Sequence, residues 1–279
     1  MAYSLGIMQG RLTEPKGRGI QFFPFDNWAE EFAIAAELGL NEIEFIFDFD
    51  NYQDNPLWSE TGLAKIQALA QEHGVKVNHI CADFFMRRPF FRVDEVTRQE
   101  NVAILKQLII AAHTINAHNV EIPLVDKSSI KTDEEQVTLI ASLREVLPTA
   151  EQYNITLGLE TDLAPQPFFQ LLNECNSPLI KANYDTGNSS GLGYNHREEL
   201  EEFGSYIENV HIKDRLLGGT TVTLGTGNAN FDQFFQALKP LNYQGSFILQ
   251  VARGEEGEEK EAIKAYMSFV QDYIKKYLV

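Results

Sequence analysis

The sequence predicts an α/β protein folded as one domain over residues 1–279, a (β/α)8 TIM barrel. Three observations predict it. Short β-rich runs alternate eight times with longer stretches of helical periodicity. Several of the runs are almost wholly apolar, as strands covered on both faces of a parallel sheet must be. No Ser/Pro-rich linker divides the 279 residues, and one such barrel takes roughly 250. An open doubly wound sheet is the competing layout. It would carry a glycine-rich first turn, whereas the first run here is followed by Gln9-Gly10-Arg11-Leu12, with no GxGxxG.

The strands are expected over 4–8, 42–47, 75–81, 119–124, 155–160, 179–185, 207–213 and 246–251. Val96, Leu105, Leu108, Ile109 and Ala112 mark one face of a long helix that starts near Asp94. Val137, Ile140, Leu143 and Leu147 mark the next, where Thr132 and Glu135 have capping-box spacing. Asn27, Asn230 and the acidic run near Glu255 open other helices, the carboxylates of that run favouring a helix dipole. Gly39, Gly74 and Gly245 each precede a strand, where an αβ loop often needs a positive φ. Asn41, Asn119 and Asn154 fall at similar junctions.

Composition narrows the function. A 44% hydrophobic share argues against disorder. Forty acidic against 23 basic residues leave a charge of −17, which repels phosphate backbones and anionic lipid, so no nucleic-acid or membrane partner is expected. No apolar run approaches the ~20 residues of a membrane span. Met1-Ala2-Tyr3-Ser4 lacks a basic leader and reads as the approach to a first strand, not as a signal peptide. Cys81 and Cys175 have no metal-ligand spacing and cannot make a disulfide framework. A cytoplasmic location is the expectation.

Barrel chemistry gathers at the carboxyl ends of the strands. Glu160 ends the fifth strand, Asp185 the sixth and Gln250 lies in the eighth, with His211 in the seventh. Helix capping accounts for an acidic residue at any one strand end, but it accounts poorly for an imidazole. Four such groups on consecutive strands point to a shared site. Two carboxylates, an imidazole and an amide oxygen suit a divalent Mn, Co, Mg or Zn ion.

Met8-Gln9-Gly10-Arg11-Leu12, Gly158-Leu159-Glu160, Tyr184-Asp185-Thr186-Gly187-Asn188, Val210-His211-Ile212-Lys213-Asp214 and Leu224-Gly225-Thr226-Gly227 together form a recognisable pattern. It resembles the xylose isomerase-like TIM barrel superfamily of sugar and sugar-phosphate isomerases and epimerases, in its ketose 3-epimerase-like branch. The resemblance implies a metal held by Glu160, Asp185, His211 and the residue at 250. It also implies proton abstraction next to a carbonyl through a metal-stabilised enediolate, with Glu160 as base. Gln250 is the departure, since the family has a second glutamate there. An amide can ligate through oxygen but cannot exchange a proton at working pH.

Three readings follow. Glu160 acts alone as an isomerase base, or a different carboxyl replaces the lost one, or the barrel binds a sugar with little or no turnover. Glu121 is the candidate replacement, with Glu44 behind it. Glu44 is more simply read as a buried carboxylate paired with an internal Lys or Arg. An endonuclease IV-like nuclease would need more than six histidines and a basic face. Arg11, Lys213, Arg215 and Arg253 near the mouth could focus an anionic sugar phosphate. Gly225-Thr226-Gly227-Asn228 reads as a phosphate cradle or as a tight turn. Trp58 could stack on a sugar or pack in its loop. The aromatic and arginine-rich segment 83–92 fits a lid, or a contact in a homo-oligomer. His73, His79, His113, His118 and His196 receive no ligand role.

Overall fold

The computed structural model describes residues 3–279; Met1 and Ala2, at the start of the amino-terminal segment read above, lie outside them. In chain order the strands are β1 (Ser4–Met8), β2 (Glu42–Ile46), β3 (His79–Cys81), β4 (Asn119–Leu124), β5 (Thr156–Thr161), β6 (Ile180–Asp185), β7 (Ile207–Ile212), β8 (Asp214–Arg215), β9 (Thr221–Val222) and β10 (Ser246–Leu249). The helices are α1 (Glu30–Leu38), α2 (Glu60–His73), α3 (Phe84–Arg87), α4 (Glu95–Thr114), α5 (Asp133–Tyr153), α6 (Pro165–Cys175), α7 (Thr186–Leu192), α8 (His196–Phe203), α9 (Phe231–Leu238) and α10 (Glu259–Tyr277). Eight strands close a parallel barrel in the order β1-β10-β7-β6-β5-β4-β3-β2, as the alternation predicts. The seam pairs β1 with β10 in the register Ser4↔Ser246 to Ile7↔Leu249. β8 and β9 form a small antiparallel hairpin above β7.

Apolar packing lies mainly between barrel and helices. Phe32, Phe45, Phe234, Phe235 and Phe247 are wholly buried there, each favouring the fold by ~1.5–3 kcal/mol. The barrel interior is unusually polar. Strand alternation aligns Glu42 with Glu44, Asn119 with Glu121, Asn183 with Asp185 and Asn209 with His211, and all eight are buried. Glycine makes room for them: a Cβ on Gly6 would lie 2.4 Å from Glu42 Cγ and 2.6 Å from Ile248 Cδ1. Between β6 and β7 the register slips at Ala182/Asn183, just before the strand end that carries Asp185.

Several local expectations shift. Val96 and Val137 are 69% and 65% exposed, because they stand near the amino-terminal ends of α4 and α5, outside the stripe that meets the barrel. Asp94 caps α4 through Thr97 N, and Thr132 caps α5 through Glu135 N. The Glu135 carboxylate reaches back to accept from Lys131 N, one residue beyond the Thr132 amide of a full capping box. Asn27 does not open a helix: it lies in a turn closed onto Pro24, and α1 begins at Glu30. The acidic run precedes its helix too, since α10 starts at Glu259. Gly39, Gly74 and Asn154 have positive φ. Gly245 is needed for space instead, 2.5 Å from Glu208 O and 2.4 Å from Tyr243 Oη by the position of a Cβ. The third strand is shorter than expected, 75–78 contributing only a bridge between Glu42 and Lys76. No helix among the described residues is long and apolar enough to cross a membrane.

Candidate active site

Strand pairing brings Glu160, Asp185 and His211 together at the barrel mouth, where one ligand atom of each lies within 4.8 Å of the others. Asp185 does two things at once. Its Oδ1 caps α7 by accepting from Gly187 N and Asn188 N at 2.8 Å, while Oδ2 faces Lys213 Nζ at 3.2 Å. The capping role foreseen for acidic strand ends is therefore real, and it leaves one oxygen for other work. Glu160 Oε1 accepts from Asn188 Nδ2 at 2.5 Å. Burial, with the charge of Asp185 adding to it, pushes the Glu160 carboxyl up to about 7.

Below the mouth, His211 Nε2 lies 3.0 Å from Glu44 Oε2, which also accepts from Asn209 Nδ2 at 2.9 Å. Glu44 is thus not paired with a Lys or Arg, as its burial alone suggests; its partner is the imidazole. Burial opposes the imidazolium, but the Glu44 carboxylate outweighs it, with Glu160 and Asp185 assisting, and holds the His211 pKa up at about 9. With a proton on Nε2 directed at Glu44, Nδ1 faces Glu160 Oε2 at 4.0 Å. Glu121 also sits at this lower level. Both its oxygens are buried without a partner, and burial raises its carboxyl well above the ordinary range. Like Asp185 and His211, it is not part of the mouth cavity's lining, and it lies against Glu160. Glu44, Glu121 and His211 form a second, deeper group of potential ligands.

Gln250 occupies the expected place, buried at the mouth. Its Oε1 accepts from Lys213 Nζ at 2.9 Å and its Nε2 donates to Gln21 Oε1 at 3.1 Å. Lys213 is thereby shared among Gln250, Asp185 and Asn188 Oδ1. A Cβ at position 187 would lie 2.6 Å from Lys213 Cγ, so Gly187 allows the lysine stem to lie against α7. The Glu160, Asp185 and His211 donors fit a divalent cation, which would displace the Lys213 ammonium from Asp185 Oδ2; the same ammonium engages the Gln250 oxygen. The cavity above them encloses about 780 Å³ and is lined by Arg11, Gln21, Asp83, Glu160, Lys213 and Gln250, among others.

The other basic candidates divide. Arg215 lines the cavity and donates to Asn188 Oδ1 at 3.0 Å and Gly219 O at 2.8 Å. Arg11 lines it too, but it is buried and committed to Val251 O, Ile20 O and Gln21 Oε1; burial, with Arg253 adding to it, lowers its pKa to about 9. Arg253 is outside the lining and donates to the carbonyls of Gly10, Thr13 and Ile20. Trp58 also lies outside it, stacked on Phe47 at 5.0 Å. In segment 83–92, Phe84, Phe85, Phe90 and Phe91 are core residues instead of a lid, and Met86 and Arg87 reach the cavity. The amides of Gly225 and Gly227 donate to Asp214 Oδ2 at 2.9 Å, so this turn is not a phosphate cradle. Gln21 and Asp83 escape the sequence reading. Asp83 follows β3 and was open to the strand-end rule; Gln21 lies in a long loop that carries no local signal.

The family model described as xylose isomerase-like TIM barrel matches residues 32–273, and the chain belongs to that family. SgbU of Haemophilus influenzae is 27% identical over 270 residues, which cover 90% of this chain and 93% of SgbU. The L-ribulose-5-phosphate 3-epimerase UlaE of Salmonella heidelberg is 25% identical over 259 residues, 89% of each chain. Among solved structures, an L-ribulose 3-epimerase superposes with a TM-score of 0.78 at 17% identity, covering 99% of this chain and 96% of that one. This likeness extends the match in fold to nearly the whole chain.

Proposed function

We propose that the chain is a divalent-metal-dependent epimerase or isomerase of ketoses or ketose phosphates that removes a proton beside the carbonyl. The observation that carries the reading is the convergence of Glu160, Asp185 and His211 on one point beneath a cavity of about 780 Å³. In this reading those three residues hold the ion (Mn, Co, Mg or Zn) once Lys213 turns from Asp185 Oδ2, and Gln250 joins them if Lys213 also releases its oxygen. A bound cation would polarise the carbonyl and stabilise the negative charge that develops on its oxygen. Glu160 is the base: its carboxyl lines the cavity that would receive the substrate. Asn188 aims that carboxyl, and Lys213 and Arg215 offer donors to substrate oxygens or a phosphate. Similarity to UlaE supports five-carbon ketose phosphates as the first class to try.

The test has two parts. Protein purified without chelator is assayed for bound metal, then titrated with Mn²⁺. It is next incubated in D₂O with L-ribulose 5-phosphate, L-ribulose, D-tagatose and D-allulose, and deuterium at the carbon beside the carbonyl is followed by NMR. Metal binding with exchange into at least one ketose, abolished in Glu160→Gln, is the expected result. A site that takes no metal refutes the metal-dependent reading. Binding of sugars without exchange would make the chain a sugar-binding barrel.

A further inference from the structure

The Gln250 amide cannot give up a proton near neutrality, so an epimerisation begun by Glu160 needs a second carboxyl, and the mouth of the barrel contains one that can serve. Among the described residues, the buried carboxyl groups on the cavity wall are Glu160 and Asp83. Asp126 also lines the cavity but is exposed, and the half-buried Asp48 is turned to the amide of Phe49 at 2.7 Å. A continuous arc of hydrogen bonds joins the two buried carboxyls around the mouth. Glu160 accepts from Asn188, Asn188 and Gln250 both accept from Lys213, and Gln250 donates to Gln21. Gln21 Nε2 completes the arc by donating to Asp83 Oδ2 at 2.8 Å. Asp83 is therefore one amide side chain beyond Gln250.

The arc also requires an amide at 250. Gln21 Oε1 accepts from both Arg11 Nη2 and Gln250 Nε2, and a carboxylate at 250 would set oxygen against oxygen. The amide at 250 and the commitment of Gln21 to Asp83 thus belong to one arrangement.

We infer that Asp83 is the second acid/base of this chain, returning a proton to the carbon from which Glu160 removes one. This rests on the ketose reading above. In the forward step the C–H bond beside the carbonyl breaks, and its proton forms an O–H bond on Glu160. The C–H electron pair becomes the carbon–carbon double bond of the enediolate as the carbonyl π pair moves to oxygen. The Asp83 O–H bond then breaks, its proton forms a new C–H bond on the face turned from Glu160, and the carbonyl re-forms. Glu160 is left protonated and Asp83 ionised, and proton exchange with water resets both.

The surroundings of Asp83 suit a proton carrier. Burial pushes its carboxyl up to about 6; the Gln21 hydrogen bond opposes this and the charge of Asp48 adds to it. The titratable groups facing it are Arg11 from the loop after β1, Asp48 from the loop after β2 and Cys81 on β3. Glu160 and Asp83 stand on the wall of one cavity, so a ligand held there meets both carboxyls.

The experiment separates proton removal from proton return. Mn²⁺-supplemented wild type, Asp83→Asn and Asp83→Glu are compared in D₂O with L-ribulose 5-phosphate, after circular dichroism has checked each fold. Epimer formation and exchange of the substrate's own C3 hydrogen are scored separately. Asp83→Asn is expected to lose about 100-fold or more in epimer formation while exchange continues within about tenfold. Asp83→Glu, which keeps the carboxyl, is expected to regain part of the epimer formation. Equal epimer formation in Asp83→Asn and wild type overturns the inference. So does a parallel fall of both rates, which would place Asp83 in binding or folding. A wild type that neither exchanges nor epimerises any of the four ketoses refutes the ketose reading itself, and this inference with it.

Discussion

Asp214 offers a direct measure of how the loop above β7 is built. It is fully buried, and its carboxylate accepts from Gly225 N, Gly227 N and Ala229 N at 2.9–3.0 Å. Replacing it with asparagine leaves one acceptor oxygen for two of these donors and turns an NH₂ group toward the third. One buried N–H is orphaned, at a cost of ~1–3 kcal/mol, and the two surviving bonds lose their charge assistance, ~0.5–1 kcal/mol each. The expected destabilisation is ~3 kcal/mol. For a chain of 279 residues, an unfolding entropy near 2.1 cal/mol/K per residue converts this into a fall in Tm of ~5 °C. Differential scanning calorimetry reads the first number, and hydrogen exchange by mass spectrometry over 224–229 reads the local loosening. A Tm within ~1 °C of wild type with unchanged exchange would refute the claim that this carboxylate organises the loop. Protection of the same amides by inorganic phosphate in the wild type would restore the phosphate-cradle reading.

Glu44→Gln removes the carboxylate that orients His211 and should weaken Mn²⁺ binding by ~10–100-fold in calorimetric titration; an unchanged Kd would remove Glu44 from the site. Burial pushes Glu31 from 4.5 up to about 7, against hydrogen bonds from Gly10, Leu12 and Thr13. The folded chain therefore keeps a proton between those values that the unfolded chain has released, so stability from this group falls by up to ~3 kcal/mol as pH rises through that window. Tm measured at about pH 5 and pH 8 should fall less in Glu31→Gln than in wild type, and parallel slopes would contradict the assignment. Trp58→Ala should lower Tm by a few °C through lost packing on Phe47 and leave the KM for ketose unchanged; a raised KM would return Trp58 to the substrate.

Periodicity revealed the barrel because parallel strands covered on both faces must be apolar, and that constraint is written residue by residue. Glu160, Asp185 and His211 could be grouped for a related reason: strand alternation and chain order alone decide which side chains meet at the mouth. Arg253 and Trp58 show where this logic stops. Position near a strand end says nothing about whether a nearer carbonyl or aromatic ring has already claimed the side chain. Val96 and Val137 fail differently, since helical spacing locates a stripe but not the turn at which the helix first meets the barrel. Glu44 was visible as a buried acid, but its partner lies 167 residues away on another strand. Only the closed sheet brings the two together.

The arginine contacts across the barrel seam bear on how the chain is made. Arg253, just past β10, holds Gly10 O, and Arg11, just past β1, holds Val251 O, so each end of the protein secures the other across about 240 residues. Synthesis from the amino terminus leaves β1 with one unpaired edge until the last strand has emerged. Contacts this distant in sequence form late, because the intervening chain must first surrender its freedom. A nascent chain arrested before residue 246 would therefore display an open sheet edge and an Arg11 lacking its Val251 acceptor. Such a product is a client for chaperones and proteases, not a shorter working barrel.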